Sequence, residues 1–202
     1  MRGYFITFEG PDGSGKSTQI KLIKEYFEKK GFDLIITREP GGTRISEKIR
    51  DIILDNEHTE MDYIAEALLY AAARAQHVSQ LIKPALEEGK VVICDRFVDS
   101  SFVYQGEGRG LGKCVKEIND IAIRGFMPDV TFLFKIDPEI GNMRIKNKNR
   151  LDMEKIDYHR IVYNAYLKLE KEYPDRIKGI DAGRSIDEIH EEIKEYLEKL
   201  LK

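Results

Sequence analysis

The sequence has few of the features that mark membrane-spanning, secreted or disordered proteins. Only two cysteines occur in 202 residues, Cys94 and Cys114, and they form neither a disulfide framework nor a zinc-binding pattern. No apolar run approaches the ~18 residues of a membrane span, and the N-terminal segment becomes polar at Glu9, too early for a signal peptide. The composition, with six prolines and 42% hydrophobic residues, excludes disorder. We therefore expect a folded cytoplasmic protein with reduced cysteines and no membrane partner.

The sequence also lacks a surplus of positive charge. Lys and Arg number 33 against 36 Asp and Glu, which gives a formal net charge of −3. This balance excludes the overall basic surface expected of a general nucleic-acid binder. We therefore expect no nucleic-acid partner, and a chain of this length predicts one domain over residues 1–202.

Short apolar runs alternate with longer amphipathic segments, which is typical of α/β proteins with a mainly parallel sheet. Helical spacing places Ile20, Ile23 and Phe27 on one apolar face. The last predicted helix begins with Ser185 and Glu188 at the spacing of a capping box. The apolar runs predict five strands, at Tyr4–Phe8, Leu34–Thr37, Val91–Cys94, Val130–Phe134 and Ile177–Ile180.

A phosphate-binding motif directly follows the first predicted strand. Residues 10–17 match the P-loop pattern G-x-x-x-x-G-K-[ST], with a strand before it and an amphipathic helix after it. The glycines let backbone N–H groups point at phosphate oxygens, and the helix adds its positive N-terminus. Lys16 supplies a mobile positive charge to the β- and γ-phosphates, and the Ser17 hydroxyl can bind Mg²⁺. The predicted site for Mg²⁺ and a nucleoside triphosphate comprises Gly10, Pro11, Asp12, Gly13, Ser14, Gly15, Lys16, Ser17 and Thr18.

Other segments separate the classes of P-loop protein. A GTPase should carry an N-K-x-D motif after a late strand, and the nearest string, N-K-N-R at residues 147–150, lacks the Asp. Asp95 closes the third predicted strand, where it can hold the Mg²⁺ shell as Walker-B aspartates do. Arg96 follows it and points at the crevice where open α/β sheets bind their ligands.

Two further segments indicate a second, anionic substrate. The loop Arg38-Glu39-Pro40-Gly41-Gly42-Thr43 follows the second strand and offers backbone N–H groups and a guanidinium. In the next helical segment Tyr70 and Arg74 lie at i and i+4 on one face, where they can stack on a planar base and hydrogen-bond its edge. For this pair taken alone, packing or a surface cation–π contact is the simpler interpretation.

Together these motifs resemble the bacterial-type thymidylate kinases, nearly end to end. The resemblance implies the P-loop nucleoside monophosphate kinase fold, a five-stranded parallel sheet flanked by helices. It also implies transfer of the γ-phosphate of Mg²⁺-bound ATP to dTMP, a step toward dTTP. The segments that carry it are the P-loop, Arg38-Glu39-Pro40-Gly41-Gly42-Thr43, Tyr70-x-x-x-Arg74-x-Gln76-His77, Asp95-Arg96-Phe97-x-Asp99-Ser100-Ser101 and Tyr104-Gln105-Gly106.

The resemblance implies roles for individual residues as well. Arg38 and Arg96 would bind the 5′-phosphate of dTMP, for which the planar guanidinium is well suited. Tyr70 would stack on thymine, and Arg74 would reach its O4 atom. The resemblance also implies that Ser101 and Gln105 recognise the base, that Tyr104 excludes a 2′-hydroxyl and that Glu39 contacts the substrate. Asp12 would face the sugar and the magnesium shell.

The mobile lid, expected at about residues 141–153, departs from the family pattern. The P-loop lacks the arginine that one subgroup carries there, so the resemblance implies that the lid supplies this charge. Arg144 and Arg150 are the candidates, among four cations in residues 144–150. Asn149-Arg150 stands where the family has Asp-Arg, Asp152 stands where Glu is typical, and the lid is short. The catalytic residues implied are Lys16, Arg150, Arg144, Asp12 and Arg96.

Two alternatives fit the same motifs. One is a nucleotide sensor without turnover, and the intact Lys16, Ser17, Asp95 and Arg150 argue against it. The other is a related kinase that acts on dUMP, another monophosphate or an unphosphorylated deoxynucleoside. The resemblance further implies that ATP and dTMP are the small-molecule partners and that two copies form a homodimer through helices flanking the sheet.

Overall fold

In the computed structural model, strands and helices alternate over the described residues, 2–145 and 148–201. Lys146, one of the four cations of the predicted lid, lies outside these residues. Two π-helical segments, Val78–Ile82 and Phe102–Gly108, each continue a preceding α-helix. The elements are β1 (Phe5–Glu9), α1 (Lys16–Lys29), β2 (Leu34–Arg38), α2 (Arg44–Leu54), α3 (Tyr63–His77), α4 (Lys83–Glu87), β3 (Val91–Asp95), α5 (Val98–Ser101), α6 (Lys113–Ile123), β4 (Val130–Lys135), α7 (Pro138–Met143), α8 (Ile156–Glu172), β5 (Ile177–Asp181) and α9 (Ile186–Leu200).

The strands form one parallel sheet in the order β2-β3-β1-β4-β5, which confirms the expected fold class. Each predicted strand is found to within one residue at either end. All five end one residue later than their apolar runs, because pairing continues into a charged residue: both Phe8 and Arg38 lie in register with Asp95. The five terminal residues are Glu9, Arg38, Asp95, Lys135 and Asp181.

Apolar side chains cover both faces of the sheet. On one face Ile23 of α1 and Ile193 of α9 pack against Phe132 of β4. On the other face Ile82 and Phe97 lie in a second buried cluster. Because both faces are covered, the strands read as continuous apolar runs rather than as alternating ones.

The helices on the first face confirm two predictions. Ile20, Ile23 and Phe27 are all buried, as the apolar stripe of α1 requires. The capping box of α9 is formed, since the Ser185 hydroxyl accepts from the Glu188 backbone N–H at 3.3 Å and Glu188 accepts from the Ser185 backbone N–H at 3.0 Å. In the described part of the chain, no helix combines the length and apolar character needed to cross a membrane.

The sheet order brings three loops together. β2, β3 and β1 are neighbours, so the segments that leave their carboxyl ends lie side by side. These segments are the loop after Arg38, the turn at Arg96 and the P-loop. The carboxyl edge is where open parallel sheets bind ligands.

Candidate active site

The P-loop connects the end of β1 to the N-terminus of α1. Gly15 precedes α1 with a φ of 95°, a conformation that favours glycine, and no side chain among the described residues caps the helix. The first-turn N–H groups and the positive end of the helix therefore face the loop, as in anion sites. Ser17 and Thr18 are exposed at this end of α1.

Lys16 lies within the curl of the P-loop. Its side chain is 5% exposed, and Nζ donates to the carbonyl oxygens of Gly10 at 3.1 Å and Pro11 at 2.9 Å. Burial, together with the charge of Arg96, lowers the pKa of Lys16 from its ordinary value. Its ammonium remains 3.8 Å from the Asp12 carboxylate. This places one buried cation at the phosphate-binding loop.

A cavity of about 360 Å³ opens beside the P-loop at the carboxyl edge of the sheet. It brings together most of the predicted acceptor residues, which the chain supplies from five different segments. Lys16, Ser17 and Arg150 do not line it. The predicted residues that do are Asp12, Gly13, Arg38, Glu39, Tyr70, Arg74, Asp95, Arg96, Ser101, Tyr104, Gln105 and Arg144.

Three of the arginines that line this cavity are Arg38, Arg50 and Arg96, here called the arginine cluster. Arg38 is half exposed and pairs with Glu47 at 2.7 Å, while Arg50 donates to the Pro40 carbonyl at 2.8 Å. Burial, and then the charge of Arg38, lowers the pKa of Arg50. Clustered guanidiniums of this kind suit a phosphate. Sequence reasoning missed Arg50, and its position three residues after Glu47 on α2 was the only signal.

Arg96 is the best-anchored of these cations. Its backbone has a φ of 66°, and its guanidinium donates to the carboxylate of Asp12 at 2.8 Å and to the Ser100 hydroxyl at 3.2 Å. The guanidinium also lies over the ring of Tyr104, with 5.2 Å between its carbon and the ring centroid. The predicted phosphate-binding arginine is therefore held between the P-loop and the cavity wall.

The carboxylate of Glu9, which sequence reasoning missed, holds the turn that contains Arg96. Glu9, the last residue of β1, is fully buried and accepts from the backbone N–H groups of Phe97 at 2.7 Å and Ser100 at 3.2 Å. It also accepts from the hydroxyls of Ser100 at 2.6 Å and Tyr166 at 2.7 Å. The only sequence signal was its place directly before Gly10.

Two aspartates face each other across the gap between P-loop and lid. Burial acts to raise the pKa of Asp12, but the charges of Arg96 and Lys16 outweigh it and hold that pKa well below its ordinary value. For Asp152 burial, together with the nearby Asp12, raises the pKa to about 6. Asp12 therefore stays ionised under mildly acidic conditions, in which Asp152 takes up a proton.

A second group of lining residues, here called the base end of the cavity, comprises the predicted base-recognition residues Arg74, Ser101 and Gln105. Arg74 is 1% exposed, and its guanidinium donates to Glu39 at 2.7 Å, Ser101 at 2.9 Å and the Phe97 carbonyl at 3.1 Å, and to Asn119. Four of its five N–H groups are thus engaged within the described residues, which leaves one on Nη2.

Glu39 lines the cavity, and both of its carboxylate oxygens contact buried side chains. Its carboxylate lies between Arg74 and His77, whose Nδ1 is 3.0 Å away, and His77 Nε2 is 2.7 Å from the Thr37 hydroxyl. His77 is therefore a structural residue that completes a buried network. The substrate contact of Glu39 stays a prediction, and the contact seen in this geometry is the one that fixes Arg74.

The two tyrosine rings that line the cavity differ in their contacts. Tyr70 lines the cavity from α3, and Tyr104 lines it while contacting Tyr166 edge-on. Burial raises the pKa of Tyr104 to about 12, so its hydroxyl stays neutral. Both rings are therefore uncharged surfaces against which a planar or sugar group can pack.

The structure separates the two lid arginines. Arg144 Nη1 donates to the Gly13 carbonyl of the P-loop at 3.3 Å, which is the position expected of a lid cation. Arg150 instead is 9% exposed and donates to Glu66 at 2.6 Å and to the Ile53 carbonyl at 3.1 Å. The lid and the P-loop approach closely here, since a Cβ on Gly141 of α7 would lie 2.8 Å from the Asp12 carbonyl.

Asp95 has the features of a metal-shell residue. Its Oδ1 is buried and has no hydrogen-bond partner among the described residues, although the side chain lines the cavity. Buried polar atoms are almost always paired in proteins. An unpaired carboxylate oxygen near the P-loop therefore fits a hydrated divalent cation, with the exposed Ser17 hydroxyl as the second ligand.

Comparison with known proteins identifies the family of this chain. A family model of thymidylate kinase matches residues 8–193. The chain is 50% identical to a thymidylate kinase of Clostridium novyi over 97% of this chain and 98% of that one, and 54% identical to one of a Geobacillus species over 94% and 93%. The crystal structure of a thymidylate kinase from Ehrlichia chaffeensis superposes with a TM-score of 0.79 at 34% identity, covering 98% of this chain and 99% of that one. On this similarity along its whole length, the chain belongs to the thymidylate kinase family.

Proposed function

We propose that the chain transfers the γ-phosphate of ATP to dTMP, forming dTDP for dTTP synthesis. One observation carries this proposal: a single cavity beside the P-loop is lined both by several guanidiniums and by aromatic and amide side chains. A nucleoside monophosphate has the matching pair of ends, an anionic phosphate and a planar base. The family membership of the chain supports dTMP as that nucleotide.

The P-loop is the donor side of this reaction. Lys16 and the first-turn N–H groups of α1 would hold the triphosphate of ATP, and Mg²⁺ would be held by Ser17 and Asp95. When bound, the metal neutralises charge on the β- and γ-phosphates. The partner-free Oδ1 of Asp95 supports this assignment.

The cavity is the acceptor side. Arg38, Arg50 and Arg96 would bind the 5′-phosphate of dTMP, Tyr70 would stack on thymine, and Tyr104 would lie against the sugar. Arg74, Ser101 and Gln105 would contact the base edge. No general base is required, because the attacking phosphate is already ionised; catalysis consists of positioning and charge stabilisation.

The lid, at about residues 141–153, supplies the remaining charge. We assign the contact with the transferring phosphoryl group to Arg144, because its guanidinium already reaches the P-loop. Arg150 could take this role only by leaving Glu66, to which it donates at 2.6 Å in a buried setting. Asp12, held ionised by Arg96 and Lys16, would keep the two cations in place.

Exposed apolar side chains support assembly into a homodimer. Three neighbouring helices carry them: α2 packs on α3, and α3 packs on α6. Patches of this kind on soluble proteins mark interaction sites. The exposed apolar side chains on these three helices are Ile45, Ile52, Ile64, Leu68 and Ile121.

We also assign the protein to the cytoplasm, where its unpaired cysteines would stay reduced.

ATP-dependent phosphorylation of dTMP, dUMP, dGMP, dCMP, UMP and thymidine tests the function directly. We expect dTMP to be the preferred acceptor and thymidine to be inert, because the arginine cluster needs a phosphate. Lys16→Ala should lower kcat at least about a hundredfold, as losses of a transition-state donor do. The exposed Lys21→Ala on the same helix is the control. Near-normal turnover by a folded Lys16→Ala variant would refute the donor site.

Substitution of the arginine cluster tests the acceptor site. Arg96→Ala should raise KM for dTMP by the equivalent of about 2–5 kcal/mol and KM for ATP far less, because it removes a buried charge partner. Arg38→Ala should have a smaller effect of the same kind, since Arg38 is half exposed and screened by solvent. Arg160→Ala, at an exposed arginine of α8, should change neither constant. Equal effects on KM for dTMP and KM for ATP would show that these arginines do not belong to the acceptor site.

Single-turnover kinetics on two lid variants separates the arginines. Arg144→Ala should lower kcat by roughly 10³–10⁵, as for arginines supplied to phosphoryl transfer, with little loss of dTMP affinity. Arg150→Ala should instead lower the free energy of unfolding, because it leaves the buried Glu66 with one charged partner fewer. The reverse pattern would transfer the catalytic role to Arg150.

The dimer is tested by Leu68→Glu, which puts a charge on the exposed face of α3. We expect light scattering after gel filtration to report a dimer for the unaltered protein and a monomer for this variant. Ile161→Glu, at a side chain of α8 that is similarly exposed, should remain dimeric. A dimer that survives Leu68→Glu and is lost with Ile161→Glu would move the interface to α8.

A further inference from the structure

Glu66 lies directly behind the base end of the cavity and does not line it. It belongs to α3, one turn before Tyr70, and its side chain is fully buried. Oε1 accepts from Gln105 Nε2 at 2.9 Å and from Arg109 Nε at 3.3 Å. Oε2 accepts from Arg109 Nη2 at 3.3 Å and from Arg150 Nη2 at 2.6 Å. Nothing in the proposed reaction so far uses this carboxylate.

The contacts of Glu66 keep it ionised. Burial acts to raise its pKa, but hydrogen bonds from Gln105 and Arg109, the charge of Arg109 and the bond from Arg150 outweigh burial and leave the pKa below its ordinary value. An ionised carboxylate has no hydrogen to give and can only accept. Every group that faces Glu66 must therefore present a donor.

This requirement fixes the orientation of the Gln105 amide. Either end of a glutamine amide can face a neutral partner, and the orientation is then set by the surrounding hydrogen bonds. Against an ionised Glu66 only the NH₂ group is acceptable, since reversal would set two acceptor oxygens together in a buried site. The carbonyl oxygen, to which no described residue donates, is left for the cavity that Gln105 lines.

The base end of the cavity therefore offers a donor and an acceptor in fixed places. The donor is the remaining N–H of Arg74, which Ser101 helps to hold, and the acceptor is the Gln105 carbonyl, one turn after Ser101. Thymine and uracil present the complement, a carbonyl O4 beside an N3–H. Cytosine presents an amino group beside an unprotonated N3, and it mismatches both positions.

We infer that Glu66 is a positioning residue that sets the hydrogen-bonding polarity of Gln105 and thereby restricts the acceptor to pyrimidine monophosphates with an imide N–H. The inference rests on the proposed function, since it requires the base to lie against Arg74 and Gln105. Sites that leave a buried polar group unpaired against the wrong substrate discriminate far more strongly than apolar pockets do. Glu66 supplies that discrimination by preventing the amide from adapting.

Glu66→Gln is the informative substitution. The strong bond to Arg150 would hold the new carbonyl oxygen at the Oε2 position, so the new NH₂ group would face Gln105 and turn that amide around. We expect calorimetric titration to give weaker binding of dTMP and dUMP and tighter binding of dCMP, with the dCMP-to-dTMP ratio of Kd values falling at least about tenfold. The dUMP-to-dTMP ratio should not change, because both bases carry the same imide.

Arg109→Lys is the matched control. It removes the forked contact with the same carboxylate but keeps a positive charge beside it, so Glu66 stays ionised against Gln105 and both ratios should stay within about twofold of the unaltered protein. A purely structural role for Glu66 would change the dUMP-to-dTMP ratio as well, because a loosened pocket also reads the methyl group less well. Unchanged dCMP-to-dTMP discrimination in a folded Glu66→Gln variant overturns the inference.

Neutron diffraction from the unaltered protein with dTMP gives an answer even if the variant does not fold. The expected result is a deuterated amide of Gln105 facing Glu66 and its carbonyl facing N3 of the base; the opposite orientation overturns the inference. Failure of the proposed function is distinct. In that case the unaltered protein would show no preference for dTMP over dCMP before any substitution is made.

Discussion

The geometry of the cavity depends on the buried carboxylate of Glu9, which joins three parts of the chain at the end of β1. Its oxygens accept hydrogen bonds from backbone N–H groups that follow β3 and from the hydroxyl of Tyr166 in α8. Burial, together with the charge of Asp99, raises the pKa of Glu9, while Arg96 acts against them. Since the P-loop begins at the next residue, the phosphate-binding loop and the acceptor cavity share one anchor.

Two further buried carboxylates act in the same way around the cavity. Glu39 holds Arg74, and Glu66 holds Gln105, each through a carboxylate that is almost completely buried. Buried pairs of this kind contribute little net stability, whereas removal of one partner costs about 3–5 kcal/mol. Their effect is to fix the orientation of side chains that line the cavity. Three buried carboxylates, those of Glu9, Glu39 and Glu66, thus set the geometry of the cavity wall.

The sequence predicted the features that are encoded by residues close together in the chain. The P-loop and the strands to within one residue follow from motif spacing and apolar runs, and family resemblance assigned most of the residues that line the cavity. The failures involve partners far apart in the chain. Arg150 pairs with Glu66 across 84 residues, so a basic string could not reveal which of its members points inward. Arg50 and Glu9 likewise acquire their positions from tertiary contacts, which no spacing within one element encodes.

The left-handed backbone of Arg96 has a consequence for how this protein can change. A residue other than glycine in that conformation costs of order 1–3 kcal/mol, which the surrounding contacts must offset. Glycine would relieve the strain and would also remove the guanidinium that bridges Asp12 and Tyr104. Loss of the charged partner of Asp12 costs about 2–5 kcal/mol, which offsets the strain that glycine relieves. Selection for heat resistance therefore gains nothing from glycine at this position, and adaptation to a higher temperature must come from positions other than residue 96.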